Sequence, residues 1–400
     1  MSTNGRPHAK RRIARSQEID MNRTGHQLIL IASISLISAS PHAQQIIIQG
    51  NITQITMPEQ KLQMATIDFK NALPMPLPRP SVAPASLTDS MLSGPPRFPG
   101  NPGVERGGTG DGKLRPVRLA PASEPSQPGV EPQEFGTSNQ PFTTNRVNAN
   151  GDNTQYYYPF RAAGKLFFNI GTATRVCSAS LIKPGVVVTA AHCVANFGQQ
   201  QFYSNWVFTP AYSNGTAPYG AWNVASATVM TSYLNGTDPC AQAGVICQDD
   251  VAVLVLIPQG GSYAGNSVGW FGYGWNGYGF TPSGTTLINQ LGYPVALDGG
   301  GLMQRNDSQG FVASGSSNNT IIGSLMTGGS SGGPWHVNLG IAPVLNGTSF
   351  GSASARNTVV GVTSWGYTDP AIKQQGASPF TSGNIVPLVN SACTSSPAAC

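Results

Sequence analysis

From about residue 155 onward, the apolar residues of this chain come in short β-branched runs, and that texture decides most of what it can fold into. The runs are Lys165-Leu-Phe-Phe168, Val186-Val-Val-Thr189, Trp206-Val-Phe208, Val251-Ala-Val-Leu-Val-Leu-Ile257 and Thr358-Val-Val-Gly-Val-Thr363. Each is bounded by Gly, Asn, Pro or Ser, the pattern of many short strands joined by turns, and no amphipathic helical stretch competes. Charged residues make up only 10% of the chain, too few to coat helix surfaces, whereas 48 Gly and 32 Pro suit turns. The composition therefore predicts an all-β protein.

The chain carries a net charge of +5, and its location matters more than its size. Residues 1–43 hold six Lys/Arg against two Asp/Glu, residues 44–134 eight against eight, and residues 135–400 eight against seven. The excess sits at the start, so the part expected to fold lacks the basic stripe that nucleic acid would require. Residues 1–43 read as an N-terminal extension and export signal. Arg23 and His26 precede the apolar run Leu28–Ile37, and small residues follow up to Ala43. A run of ten residues is too short to cross a bilayer but suits the core of a signal peptide. The expectation is a secreted protein, extracellular or periplasmic, with no stable membrane insertion once the signal is gone.

Residues 44–135 are rich in Pro, Gly and Ser, as in Pro-Met-Pro-Leu-Pro-Arg-Pro (74–80) and Gly94-Pro-Pro-Arg-Phe-Pro-Gly100. Such a stretch buries too little apolar surface to offset its ordering entropy, which predicts a mostly disordered propeptide or spacer. Six cysteines follow as sequence-adjacent pairs, Cys177/Cys193, Cys240/Cys247 and Cys393/Cys400. Six cysteines allow 15 pairings; the adjacent one is favoured because each bond then closes a short local loop. The first would contribute about 3 kcal/mol by restricting the unfolded chain. With no Cys-x-x-Cys and only two histidines beyond the leader, a zinc site is not expected, nor any other metal or cofactor.

Three segments carry chemistry. Thr189-Ala-Ala-His-Cys193 follows a buried strand; its small residues permit a tight turn, which a bond from Cys193 to Cys177 would tie down. That arrangement fixes His192, a group titrating near neutrality, as a general base. Gly328-Gly-Ser-Ser-Gly-Gly-Pro334 frames Ser331 with glycines that admit a substrate backbone, and lets the amides of Gly329 and Ser331 converge as an oxyanion hole. Asp250 opens the apolar run 251–257, where a carboxylate is costly unless hydrogen-bonded; a histidine partner would resolve that cost. Asp249 is its rival.

The order His192, Asp250, Ser331 within these local sequences resembles the chymotrypsin-like serine peptidases over residues 150–390. In character it is most similar to their bacterial glutamyl endopeptidase (V8-like) branch, through Tyr158–Ala162, Pro218–Gly220, Gly265–Tyr273 and Leu291–Pro294. The resemblance implies two six-stranded antiparallel β-barrels, with the active site in the cleft between them. Residues 136–265 would form the first and supply His192 and Asp250; residues 266–400 would form the second, with Ser331 and a C-terminal tail. It also implies a substrate wall at Ser364-Trp-Gly366, preceded by Thr363, with Leu325 and Met326 near the pocket base. Those last two are apolar, so no acid awaits a Lys or Arg substrate, and Thr363 replaces the histidine of glutamyl endopeptidases. Apolar or small substrate residues are expected. Ser330 stands where a trypsin-like zymogen has its activating Asp, so maturation would act by removing residues 44 to about 134. His336 and the aromatic-glycine run 270–280 read as packing and as strand and turn.

The expected activity is that of a secreted serine endopeptidase, a monomer whose partners are protein or peptide substrates. The rival reading is a catalytically inactive protease homologue acting as a secreted binding protein or adhesin. A serine esterase of the α/β-hydrolase kind needs a helix after Ser331 and its catalytic histidine last in the chain; around Ser331 that helix is absent, and His192 precedes it.

Overall fold

The computed structural model describes residues 44–57, 64–76, 78, 98, 100–121, 141–148, 151–312, 319–340, 354–367 and 372–400. The export signal expected in residues 1–43 lies outside them. Among the described residues, no helix is long and apolar enough to cross a membrane.

The β-branched runs become a closed barrel. Its order is Trp222–Met230, Ser204–Pro210, Ala163–Ile170, Ala173–Lys183, Val186–Thr189 and Ala252–Leu256, the last pairing back onto Trp222–Met230. All these pairs are antiparallel. Val186, Val187, Val188, Val253 and Leu254 are fully buried, and each contributes about 1.5–3 kcal/mol by leaving water. The second barrel runs Pro334–Val337, Thr285–Gly292, Gln304–Val312, Thr320–Gly323, Gln374–Pro379 and Thr358–Gly366, and closes onto Pro334–Val337. Its pairs are antiparallel as well. The fold is therefore all-β, with two six-stranded antiparallel barrels. Bonds link Cys177–Cys193, Cys240–Cys247 and Cys393–Cys400, the adjacent pairing.

Two features describe how the chain is organised. First, each of the described stretches 44–57, 64–76 and 100–121 contributes a paired strand. Ile52–Thr56 lies antiparallel to residues 226–230 of the first barrel, and Gln45–Gln49 pairs with it in turn. Leu73–Pro74 pairs with Arg175 and Val176, Gly103–Glu105 with residues 273–275, and Val117–Arg118 with residues 216–217. These pieces build no core of their own. They borrow the edges of finished sheets, and Ile52, Ile55 and Met57 are buried there. Second, the division between residues 265 and 266 is crossed twice. Phe142–Arg146 pairs with residues 304–308 of the second barrel. The C-terminal helix Ile385–Ser395 buries Ile385, Leu388, Val389 and Ala392 in the hydrophobic cluster that also holds the first barrel's core. It is joined there by Gly185 N–H donating to Ala399 C=O at 2.7 Å.

The aromatic-glycine run forms the strand Gly272–Trp275, parallel to residues 358–359, followed by a turn.

Candidate active site

The histidine segment is built by local sterics. After the buried strand Val186–Thr189, Ala190 stays extended and a single helical turn covers Ala191–Cys193. Alanine is small enough for both conformations in a core with no spare volume. Cys193 is bonded to Cys177, and Thr189 Oγ1 donates to Ser178 C=O at 2.9 Å, so the turn is anchored on both sides.

Asp250 faces that turn. Its Oδ2 lies 2.8 Å from His192 Nδ1, and its Oδ1 accepts the His192 backbone N–H at 2.8 Å. Ser364 Oγ donates to Oδ2 at 2.5 Å. Asp250 is 2% exposed, so three hydrogen bonds replace the water it lost. Asp249 points elsewhere and accepts from Ser232 Oγ at 3.0 Å, so of the two neighbours it is Asp250 that pairs with His192. Burial raises the Asp249 carboxyl's pKa; burial, and next the Asp249 charge, push Asp238 up to about 8.

Ser331 lies on a loop of the second barrel that the first barrel holds. Ser178 N–H donates to Ser331 C=O at 2.7 Å, and Ser178 Oγ donates to Gly329 C=O at 2.8 Å. Gly332 has φ +75°, and a Cβ there would fall 2.0 Å from Thr189 Oγ1 and 2.8 Å from Ala190 N. Only glycine lets the serine loop sit against the two residues that lead into His192. Among the described residues, His192 Nε2 and Ser331 Oγ are buried and have no hydrogen-bond partner. The structure thus joins His192 to Asp250 directly and brings the Ser331 loop against the histidine turn.

The expected substrate wall divides in two. Trp365 turns its side chain inward, where its Nε1 donates to Asn319 Oδ1 at 2.8 Å, while Gly366 offers its backbone N–H to Pro78 C=O at 3.1 Å. Thr363 is buried, its Oγ1 accepting from Trp335 Nε1 and Gln290 Nε2 at 2.8 Å each. Met326 is buried and Leu325 half-buried. Around them lies a polar network that the sequence did not announce. Gln290 Nε2 donates to Gln375 Oε1 at 2.6 Å, Ser324 Oγ donates to Gln290 Oε1 at 2.9 Å, and Gln375 Nε2 donates to Met326 C=O at 2.8 Å. Also missed were Ser178 and the side-chain role of Ser364. Ser178 stands beside Cys177, the only signal that could have found it. His336 is fully buried with Nδ1 3.1 Å from Asn289 C=O and its ring against Phe271; burial lowers its pKa to about 3.

A model of the trypsin family matches residues 150–382. The chain belongs to the trypsin family of serine peptidases. No curated protein matches in a sequence search. Similar solved structures include a thermostable serine protease from an extremophilic microorganism, 26% identical over 58% of this chain and 97% of that one, with a TM-score of 0.46. The protease Anisep from Arthrobacter nicotinovorans is 24% identical over 60% and 95% of the two chains, with a TM-score of 0.45. A Glu endopeptidase solved with MPD is 20% identical over 63% and 96%, with a TM-score of 0.44. The trypsin-family chain is a serine-type peptidase with protein substrates.

Proposed function

We propose that this peptidase is an exported endopeptidase working through a His192–Asp250–Ser331 triad and an acyl-enzyme. The observation that carries the reading is the buried imidazole whose Nδ1 is engaged by Asp250 while Nε2 has no partner. A general base needs that division of labour. One nitrogen is fixed so that the tautomer is set, and the other is available to a hydroxyl. Ser331 Oγ, likewise without a partner, lies on the loop packed against Thr189 and Ala190. A serine–histidine contact that is loose in the resting enzyme tightens when substrate arrives.

In this mechanism His192 Nε2 takes the Ser331 proton as Oγ attacks the scissile carbonyl, then delivers it to the leaving amine. Asp250 holds the ring and offsets its charge, and Ser364 Oγ keeps the carboxylate turned towards it. The amides of Gly329 and Ser331 bind the developing oxyanion, each worth about 2.7–4 kcal/mol. Water then hydrolyses the acyl-enzyme. Met326 and Leu325, with the neutral Gln290–Gln375 network behind them, favour apolar or small residues over charged ones in the primary pocket. Three disulfides support export to an oxidising compartment.

A fluorophosphonate probe applied to the matured enzyme should label Ser331, and peptide hydrolysis by Ser331→Ala should fall by about four orders of magnitude or more. Undiminished hydrolysis in that variant would remove the reading, and absence of labelling would favour an inactive binding protein.

A further inference from the structure

Residues 73–76 and 78 run along surfaces that a substrate must use. Leu73–Pro74 pairs in parallel with Arg175–Val176, and Met75 N–H donates to Val176 C=O at 2.8 Å. Met75 C=O then accepts the Gly329 N–H at 3.3 Å, one of the two amides assigned to the oxyanion hole, and Pro78 C=O accepts the Gly366 N–H at 3.1 Å. Met75 C=O lies 3.1 Å from where a Cβ on Gly328 would be, and Pro74 Cβ lies 3.7 Å from the same point on Gly329. With this segment in place Ser331 is fully buried and His192 only 5% exposed.

Direction separates this segment from a substrate. His192 protonates the leaving amine, so the C-terminal side of a scissile bond must lie towards the first barrel, where Val176 adjoins the Cys177–Cys193 bond. The acyl, N-terminal side must lie towards Gly366. A substrate therefore passes from Gly366, across Gly329, to Val176. The segment passes from Val176, across Gly329, to Gly366. An attack on the Met75 carbonyl would have to expel the Pro76 nitrogen on the side away from His192. Proline supplies a second obstacle. Pro74, Pro76 and Pro78 have no N–H and prefer the extended polyproline form, so the segment is stiff and can donate from fewer positions than a bound substrate.

We propose that Leu73–Pro78 is a built-in inhibitor that lies across the cleft in the reverse sense, covering the catalytic groups without being cut. The proposal rests on the triad reading above and adds its regulation. Being part of the chain, the segment acts at an effective concentration in the millimolar range, so three main-chain hydrogen bonds suffice to hold it.

The test compares three unprocessed full-length chains: the natural sequence, Met75→Pro, and one with residues 73–78 replaced by a Gly-Ser stretch of equal length. Met75→Pro removes the N–H given to Val176, together with a side chain packed against the core, and suits its proline neighbours. Each is assayed by fluorophosphonate labelling of Ser331 and by a fluorogenic peptide. The replaced chain should label about tenfold faster or more than the natural one, with Met75→Pro between them. A synthetic peptide of residues 71–80, added at about millimolar concentration to the replaced chain, should restore inhibition and be recovered intact by mass spectrometry. Equal labelling of all three chains would overturn the inhibitor while leaving the triad standing. Rapid cleavage of the peptide would overturn it too, by making the segment a substrate. No labelling of any chain, including the replaced one, would overturn the triad reading and the inhibitor with it.

Discussion

The two barrels share one plan and are filled with different chemistry. The first is packed with aliphatic and aromatic side chains, and its strand Ala252–Leu256 is apolar and buried at every position. In the second, the strand Gln304–Val312 alternates as a half-buried strand should, but its buried positions include Gln304, Asn306 and Ser308. Those groups are satisfied locally. Asn306 Nδ2 donates to Gly323 C=O at 2.8 Å, Ser308 Oγ to Pro141 C=O at 3.1 Å, and Gln304 Nε2 to Asp298 Oδ2 at 2.8 Å. A more apolar core stands behind His192 and Asp250, whereas a more hydrogen-bonded one backs the pocket side with polar groups. Packing fixes position, and hydrogen-bond networks fix orientation.

Truncation in the first barrel should have the largest effect on this contrast. Leu254→Ala leaves a cavity in a close-packed core and should cost about 2–5 kcal/mol in urea unfolding. Substrate preference among the molecules still folded should be unchanged. A smaller loss of stability with a changed preference would dissolve the distinction.

Gln290→Leu tests the second barrel. It removes partners from Thr363, Gln375 and Ser324 while roughly keeping volume, and should cost about 1–3 kcal/mol. Its signature is a changed ranking of peptide substrates, because the groups it frees border Met326. If preference does not move, the network serves the core alone.

The smallest effect concerns Asp238, beside the Cys240–Cys247 bond of the first barrel. Its carboxyl titrates near 8 in the fold and near 4 when unfolded, so between those values the folded state keeps a proton the unfolded state has lost. Its contribution to stability therefore falls as pH rises from about 4 to 8, and levels off above. Asp238→Asn removes that slope, so its melting temperature should gain on the parent as pH rises from about 5 to about 8.5. A difference that stays constant with pH would place the proton elsewhere.

The same contrast explains what the sequence could disclose. The first barrel announced itself through Val186–Thr189 and Val251–Ile257, since a strand buried in an apolar core is itself apolar. The second announced itself through Thr358–Thr363, while Gln304–Val312 and Gln374–Pro379 lie outside the apolar runs, because their buried positions are filled by amides and hydroxyls whose partners lie far off in sequence. His192 and Asp250 were legible because a short, unusual local pattern surrounds each. Ser364 as a partner of Asp250 was hidden, since 114 residues separate them and no local feature marks the pair. The early segments were hidden for a further reason: Ile52–Thr56 is ordered by a sheet edge that forms more than 170 residues later.

That borrowed edge has a consequence for maturation. Ile52–Thr56 runs in register with residues 226–230, Gln54 reaches Ser395 on the C-terminal helix at 3.2 Å, and Ile52, Ile55 and Met57 are covered. Nicking the chain beyond residue 121 breaks none of those contacts. Were such a cut to occur, scission and shedding would be separate events, and the severed piece would stay docked like a subunit until something else peeled it away.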